Sequence, residues 1–307
     1  MEKKMRFEEF VNTVVEKIKE YLPATFKDAS VETQVVVKGN DMTMTGLTIR
    51  SEGSTICPMI YLEEFFEVYQ AGEEMKAVLE KIAEIRVGTE IPDALFDIDQ
   101  ILRFDQAKER IVPRVVGREW NELLLQQRPY TEIEDLAVTY HILMGQGENG
   151  ISSIPVTNEM MKSWGTDAEE LHKVALSNMK SLLPTTFRGM SSVMKAMVTG
   201  EEEGMALDGF DPSDEAMFIL SNRENMFGAT AILDKGIMER IAEAVGEAYI
   251  LPSSIHEMLI VPKTADMDAS DLVEMVRTAN ESVVMPKDRL SNHIYRYEKG
   301  EGLRIVA

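Results

Sequence analysis

Residues 30–50 read SVETQVVVKGNDMTMTGLTIR: two β-rich runs, Val31–Lys38 and Thr43–Arg50, meet at Gly39-Asn40-Asp41. Glycine, asparagine and aspartate are the residues that tolerate positive φ, so this stretch predicts a tight hairpin. A four-residue link permits only antiparallel pairing, because a parallel pair needs a crossover of about a dozen residues or more. Before it, Phe7, Phe10, Val11, Val14, Val15, Ile18 and Leu22 recur at helical spacing until Pro23. After it, Thr55–Ile60 offers a third strand, and Leu62, Phe65, Phe66 and Tyr69 form a second helical stripe closed at Gly72. A third helix covers residues 73–87, with Met75, Val78, Leu79, Ile82 and Ile85 inward. Helices and hairpins are thus mixed without a βαβ rhythm, which predicts an α+β fold.

The remainder keeps that character. Ile111–Val116 predicts a strand, followed by a helix around Trp120–Leu125; Leu136–Leu143 and Ile151–Val156 predict paired strands. Thr157–Trp164 and Thr166–Leu182 predict consecutive helices, the second opened by Thr166 and Glu169 at capping-box spacing. Residues 199–214 read as a loop, Met217–Asn222 and Gly228–Leu233 as strands, and Ile237, Ile241 and Val245 as a helical stripe. Tyr249–Leu251 and Met258–Val261 read as strands, Asp268–Val283 as a helix, and the tail as a hairpin turning at Lys299-Gly300-Glu301-Gly302. The expected organisation is two α+β halves, 1–129 and 130–307, or one continuous domain across both.

Charge narrows the function classes. The chain carries 53 acidic residues against 32 Lys and Arg, a formal net charge of −21, which repels nucleic-acid phosphates and anionic lipid. No run approaches the ~20 apolar residues of a membrane span, and the single Cys57 fits a reducing compartment. The expectation is a cytoplasmic protein that binds neither nucleic acid nor membrane. The charge is also uneven. Residues 61–100 are strongly acidic, whereas 101–131 hold Arg103, Lys108, Arg110, Arg114, Arg118 and Arg128 against four acids. That contrast reads either as two solvated surfaces or as a small basic site for an anion.

Several motifs imitate chemistry. GQGENG at 145–150 matches the dinucleotide fingerprint, yet Ile151-Ser-Ser-Ile-Pro155 follows it where a helix should open, so it reads as a turn. ADMDASD at 265–271 resembles a calcium loop, but Asp271 takes the glycine position and Arg277 that of the bidentate glutamate. Its carboxylates fit a helix start instead. His141, His172, His256 and His293 are isolated in sequence, so spacing supports no metal. Cys57 between Ile56 and Pro58 reads as a buried structural thiol, and the seven methionines between 179 and 226 as core filling or an adaptable surface. No cofactor is expected.

LPSSIHEMLIVP at 251–262 gathers Ser254, His256 and Glu257. If the segment is extended, Ser254 and His256 share a face and Glu257 points away. If it makes a helical turn after Pro252, Ser254 and Glu257 form a capping box. A structural role is favoured either way, and a dyad completed by a distant acid is the rival. The candidate binding patch is therefore Arg114, Arg118 and Asn121 with Ser254, His256 and Glu257.

YLPATFKDASVETQVVVKGNDMTMTGLTIR, TICPMIYLEEFFEVYQAGEEMKAVLEKI, IPVTNEMMKSWGTDAEELHKVALSNMKSLLP, LPSSIHEMLIVP and LSNHIYRYEKG follow one another from about residue 7 to the C-terminus. In that order they resemble an uncharacterised bacterial domain-of-unknown-function family, known mainly from anaerobic gut bacteria. The resemblance implies no activity. Its pattern of arginine, two aliphatics, asparagine and a later asparagine is met by Arg114 and Asn121 in RVVGREWN, with Gly117 in the first asparagine's place. Three functions stay open: binding of a protein partner or a small anion, hydrolase or transferase chemistry using Ser254 and His256, and acidic competition for a basic or nucleic-acid-binding partner.

Overall fold

The expected hairpin forms in register, Ser30 opposite Arg50 and Val37 opposite Thr43. It belongs to a computed structural model that describes residues 5–53, 57–89, 99–147, 150–199, 215–263 and 268–307. The chain divides into two compact units, residues 1–38 with 42–98, and residues 39–41 with 99–307. The fold is α+β, with antiparallel sheets in each unit.

In unit 1, α1 (Phe7–Lys17) tightens into a 3-10 turn at Ile18–Tyr21 ahead of Pro23. β1 (Ser30–Val37), β2 (Thr43–Arg50) and β3 (Met59–Tyr61) make a three-stranded sheet in that order. α2 (Leu62–Ala71) ends on Gly72 at φ 114°, and α3 (Met75–Gly88) follows. Phe10, Val14 and Ile18 close over Leu47 and Ile49 together with Leu79 and Ile82. Each such side chain contributes about 1.5–3 kcal/mol on burial. Ile85, expected inward, is 40% exposed, and Arg86 is buried instead. Arg86 Nε donates to the Ile49 carbonyl at 2.8 Å and its guanidinium lies 4.7 Å from the Phe26 ring centroid.

Unit 2 begins its continuous run with α4 (Asp99–Leu102), α5 (Phe104–Ala107) and β4 (Ile111–Gly117). α6 (Glu122–Gln126) leads to β5 (Tyr130–Ile133), β6 (Leu136–Gly147) and β7 (Gly150–Pro155), then α7 (Asn158–Trp164) and α8 (Ala168–Leu182). β8 (Thr185–Gly189), α9 (Met190–Thr199), β9 (Phe218–Asn222) and α10 (Lys235–Val245) come next. β10 (Ala248–Ser254), β11 (Glu257–Pro262), α11 (Ala269–Ser282), β12 (Tyr295–Glu298) and β13 (Gly302–Ile305) complete it. One sheet runs β4-β6-β5 with β7 also on β6; the other runs β13-β12-β10-β11-β9-β8. Val138, Tyr140 and Ile142 of the first share a core with Leu220, Ile250 and Tyr295 of the second, sealed by Leu171, Ala175 and Met179 of α8. On the other face of β10, Tyr249 and Leu251 pack with Leu272 and Val276 of α11.

Several expectations are corrected. The boundary anticipated at residue 129 falls inside unit 2, because β4 pairs with β6 along its whole length. Gly228–Leu233 is a 3-10 helix, not a strand. The cap of α8 is Asp167, whose carboxylate accepts the Glu170 N–H at 2.9 Å, while the Thr166 hydroxyl has no partner among the described residues. Cys57 is half-buried. Asp268 caps α11 through the Ser270 N–H, at the helix start that its carboxylate suggested. The loop expected over 199–214 lies almost wholly outside the described residues, as do Glu148 and Asn149 of GQGENG and much of ADMDASD. Among the described residues no helix is long and apolar enough to cross a membrane.

Candidate functional site

β4 and β6 place the site. Their register sets Arg114 opposite Thr139 and Val112 opposite His141. Directly opposed residues share a face, so Arg114, Thr139 and His141 emerge together on one side of the sheet. The other side carries Ile111, Val115, Val138, Tyr140 and Ile142 and is buried in the core. β7 adds Ser153, whose hydroxyl lies 3.3 Å from His141 Nδ1.

A second set of side chains reaches the same place from the other sheet. The turn after β9 brings in Phe227, held at φ 56°. The Arg114 guanidinium carbon stands 3.2 Å from the centroid of its ring, a cation–π contact. Phe227 also lies 5.5 Å, centroid to centroid, from His256, and its N–H donates to His256 Nδ1 at 3.2 Å. His256 occupies the two-residue turn between β10 and β11 and turns Nε2 towards Asp288 Oδ1 at 3.4 Å. The Asp288 carbonyl accepts the Ile255 N–H at 2.8 Å, which fixes the acid beside the turn. Gly228 permits this approach: a Cβ there would lie 2.1 Å from Ser221 Oγ and 2.4 Å from the His256 carbonyl oxygen.

The electrostatics are unbalanced. Arg114 makes no ion pair and no side-chain hydrogen bond among the described residues; its one side-chain contact of note is the Phe227 ring. Burial first, and then Arg128, pushes its pKa down to about 9 against the opposing pull of Asp288, so it remains a cation at neutral pH. Burial also lowers Arg128. His141 is 4% exposed, and burial, then Arg114 and Arg128, hold its pKa well below the ordinary imidazole value, which keeps it neutral. The Ser153 hydroxyl pairs with Nδ1, and His141 Nε2 is a buried ring nitrogen with no hydrogen-bond partner among the described residues. The site thus gathers two cations and a buried imidazole nitrogen that has no partner among the described residues.

Of the six candidate residues, the structure gathers Arg114 and His256. Ser254 Oγ accepts the backbone N–H of His256 at 3.0 Å and does not face the imidazole. Neither the helical turn nor the Ser254–Glu257 capping box forms; the segment is a hairpin in which Ser253 Oγ donates to Glu257 Oε1 at 2.9 Å. Arg118 lies elsewhere, paired with Glu132 at 3.1 Å, beside a hollow of about 550 Å³ that Tyr130 and Asp135 also line. Asn121 is fully buried and structural. Within unit 2 it accepts the Asn40 N–H at 2.7 Å and donates to the Gly117 carbonyl at 2.8 Å. A Cβ at Gly117 would lie 2.2 Å from the Leu290 carbonyl oxygen, so this chain has no room there for the asparagine of the family pattern.

Sequence reasoning missed Phe227, Arg128, His141 and Asp288 as members of the cluster. It also missed a second polar group around Asp135, which accepts from Ser291 Oγ at 2.6 Å, His293 Nδ1 at 2.9 Å and Tyr295 OH at 2.6 Å. The signal was present as S-x-H-x-Y, three polar donors at the spacing that shares one side of an extended chain. Among the described residues no group of three or more His, Cys, Asp or Glu side chains forms a metal site.

A family model described as "Family of unknown function (DUF5688)" matches residues 7–299. No curated protein and no solved structure matches the chain.

Proposed function

The chain belongs to this family of unknown function, and we propose, from its own geometry, that unit 2 binds a small anion at Arg114. The observation that supports this is a half-buried guanidinium without a carboxylate hydrogen-bonded to it among the described residues, set beside Arg128 and the unpaired Nε2 of His141. Burying an unpaired charge is costly, and a buried cation is ordinarily paired or ligated. An incoming anion supplies the missing partner, and this reading places the His141 proton on Nε2, where the anion accepts it. His256 and Asp288, with side chains 30% and 22% exposed, form the open edge by which it enters. The overall charge of −21 does not oppose this, because a small ligand senses the local cations at short range. The single cysteine supports assigning the protein to a reducing compartment, the cytoplasm.

The test is a titration of the full chain with acetate, phosphate and sulfate at constant ionic strength. The readouts are the NMR signals of the Arg114 Nε–H and the Phe227 amide. At least one anion should move both signals saturably, and Arg114→Met should abolish the response. Signals that stay fixed for every anion would refute the proposal.

A further inference from the structure

We infer that the Arg114 site selects singly charged carboxylates over doubly charged oxyanions, and that Asp288 sets that selection. The inference rests on the anion-binding proposal above and specifies its ligand class.

The charges facing the site can be counted from the hydrogen bonds. Arg114 and Arg128 are cations. His256 Nδ1 accepts the Phe227 N–H, which places the ring proton on the Nε2 that faces Asp288. His141 is neutral, because burial and then the two arginines hold it well below the ordinary imidazole range. Among the described residues, Asp288 contributes the one carboxylate that acts on Arg114. Two positive charges and one negative leave a surplus of one. A carboxylate cancels it, whereas a dianion leaves net negative charge in a poorly solvated site and brings its second charge against Asp288. Specificity of this kind comes from a built-in repulsion as much as from attraction.

The donor set agrees. A carboxylate offers two oxygens in one plane, which a guanidinium fork and one imidazole N–H satisfy. The Phe227 ring, in contact with both Arg114 and His256, puts an aromatic side chain beside the charge, against which the carbon end of a small acid would lie. Asp288 borders the site at its partly exposed edge, beside His256.

The experiment compares acetate and propionate with phosphate and sulfate at pH 8, where phosphate is a dianion, at constant ionic strength. It uses the full chain and the same two NMR signals. In the wild type the monocarboxylates should bind at least about tenfold more tightly than phosphate. Asp288→Asn keeps an acceptor for His256 Nε2–H and removes the charge, so it should shrink that ratio to near unity or invert it. A wild type that binds phosphate as tightly as acetate overturns the inference, as does an Asp288→Asn variant with an unchanged ratio. Either result leaves the anion site itself standing. If no anion binds the wild type, the site and its selectivity fall together.

Discussion

Asp135→Ala will lower the stability of unit 2 by about 3–5 kcal/mol, more than removal of any one of its partners. The carboxylate collects three donors: the Ser291 hydroxyl, His293 Nδ1 and the Tyr295 hydroxyl, at 2.6, 2.9 and 2.6 Å. His293 is 42% exposed and can turn to water, but Tyr295 is 0% exposed and its hydroxyl would be trapped without an acceptor. Asp135 sits in the turn between β5 and β6, while its donors lie on the segment before β12 and on its first residue, so the cluster fastens one sheet of unit 2 to the other. Urea denaturation of Asp135→Ala beside Tyr295→Phe measures the effect. The phenylalanine variant should lose roughly 1–2 kcal/mol, the ordinary value of one hydrogen bond to a charged group. Equal losses in the two variants would mean that the carboxylate serves the tyrosine alone.

The second large effect is alkaline instability. Burial raises Tyr140 to about 12, the Thr131 hydrogen bond opposing, and raises Tyr295 further, helped by the neighbouring Asp135 charge. In the unfolded chain both ionise near pH 10. A folded-state pKa above the unfolded one gives stability that is complete below about pH 10 and declines as pH rises towards the folded value. The decline should be about 1.4 kcal/mol per pH unit for each tyrosine, or about 2.7 for both together. Urea midpoints measured at pH 9, 10 and 11 should fall steeply across the last interval, and Tyr140→Phe should halve the slope. A flat profile from pH 9 to 11 would show that neither hydroxyl is held neutral by the fold.

Local signals in the sequence were reliable where the backbone itself carries the information. Gly39-Asn40-Asp41 turns with Asn40 at φ 56°, Gly72 stops α2, and alternation in β10 separates Tyr249 and Leu251 from Ile250. GATAIL, residues 228–233, misled because a continuous apolar run has no period to distinguish a strand from a buried helical turn. All six of its residues are buried, and the close approach of Gly228 to Ser221 and His256 selects the tighter coil. Arg114 and His256 were chosen from separate stretches, and what joins them, the Phe227 ring, stands in neither. Asp288 is adjacent to His256 only through the fold, so spacing could not reveal it. Arg118 and Asn121 looked equally eligible because exposure and pairing, which set them apart from Arg114, are tertiary properties.

Arg114→Met separates the anion account from a structural one most directly. Methionine keeps the apolar contact with Phe227 and removes the charge. If the guanidinium waits for a ligand, the ligand-free variant should equal or exceed the wild type in stability, by roughly 0–2 kcal/mol in urea denaturation, since a half-buried charge without a hydrogen-bonded counter-ion has been removed at the loss of one cation–π contact. A variant less stable than the wild type by about 2 kcal/mol or more would contradict the account, because it would mean that Arg114 already has its counter-charge within the protein.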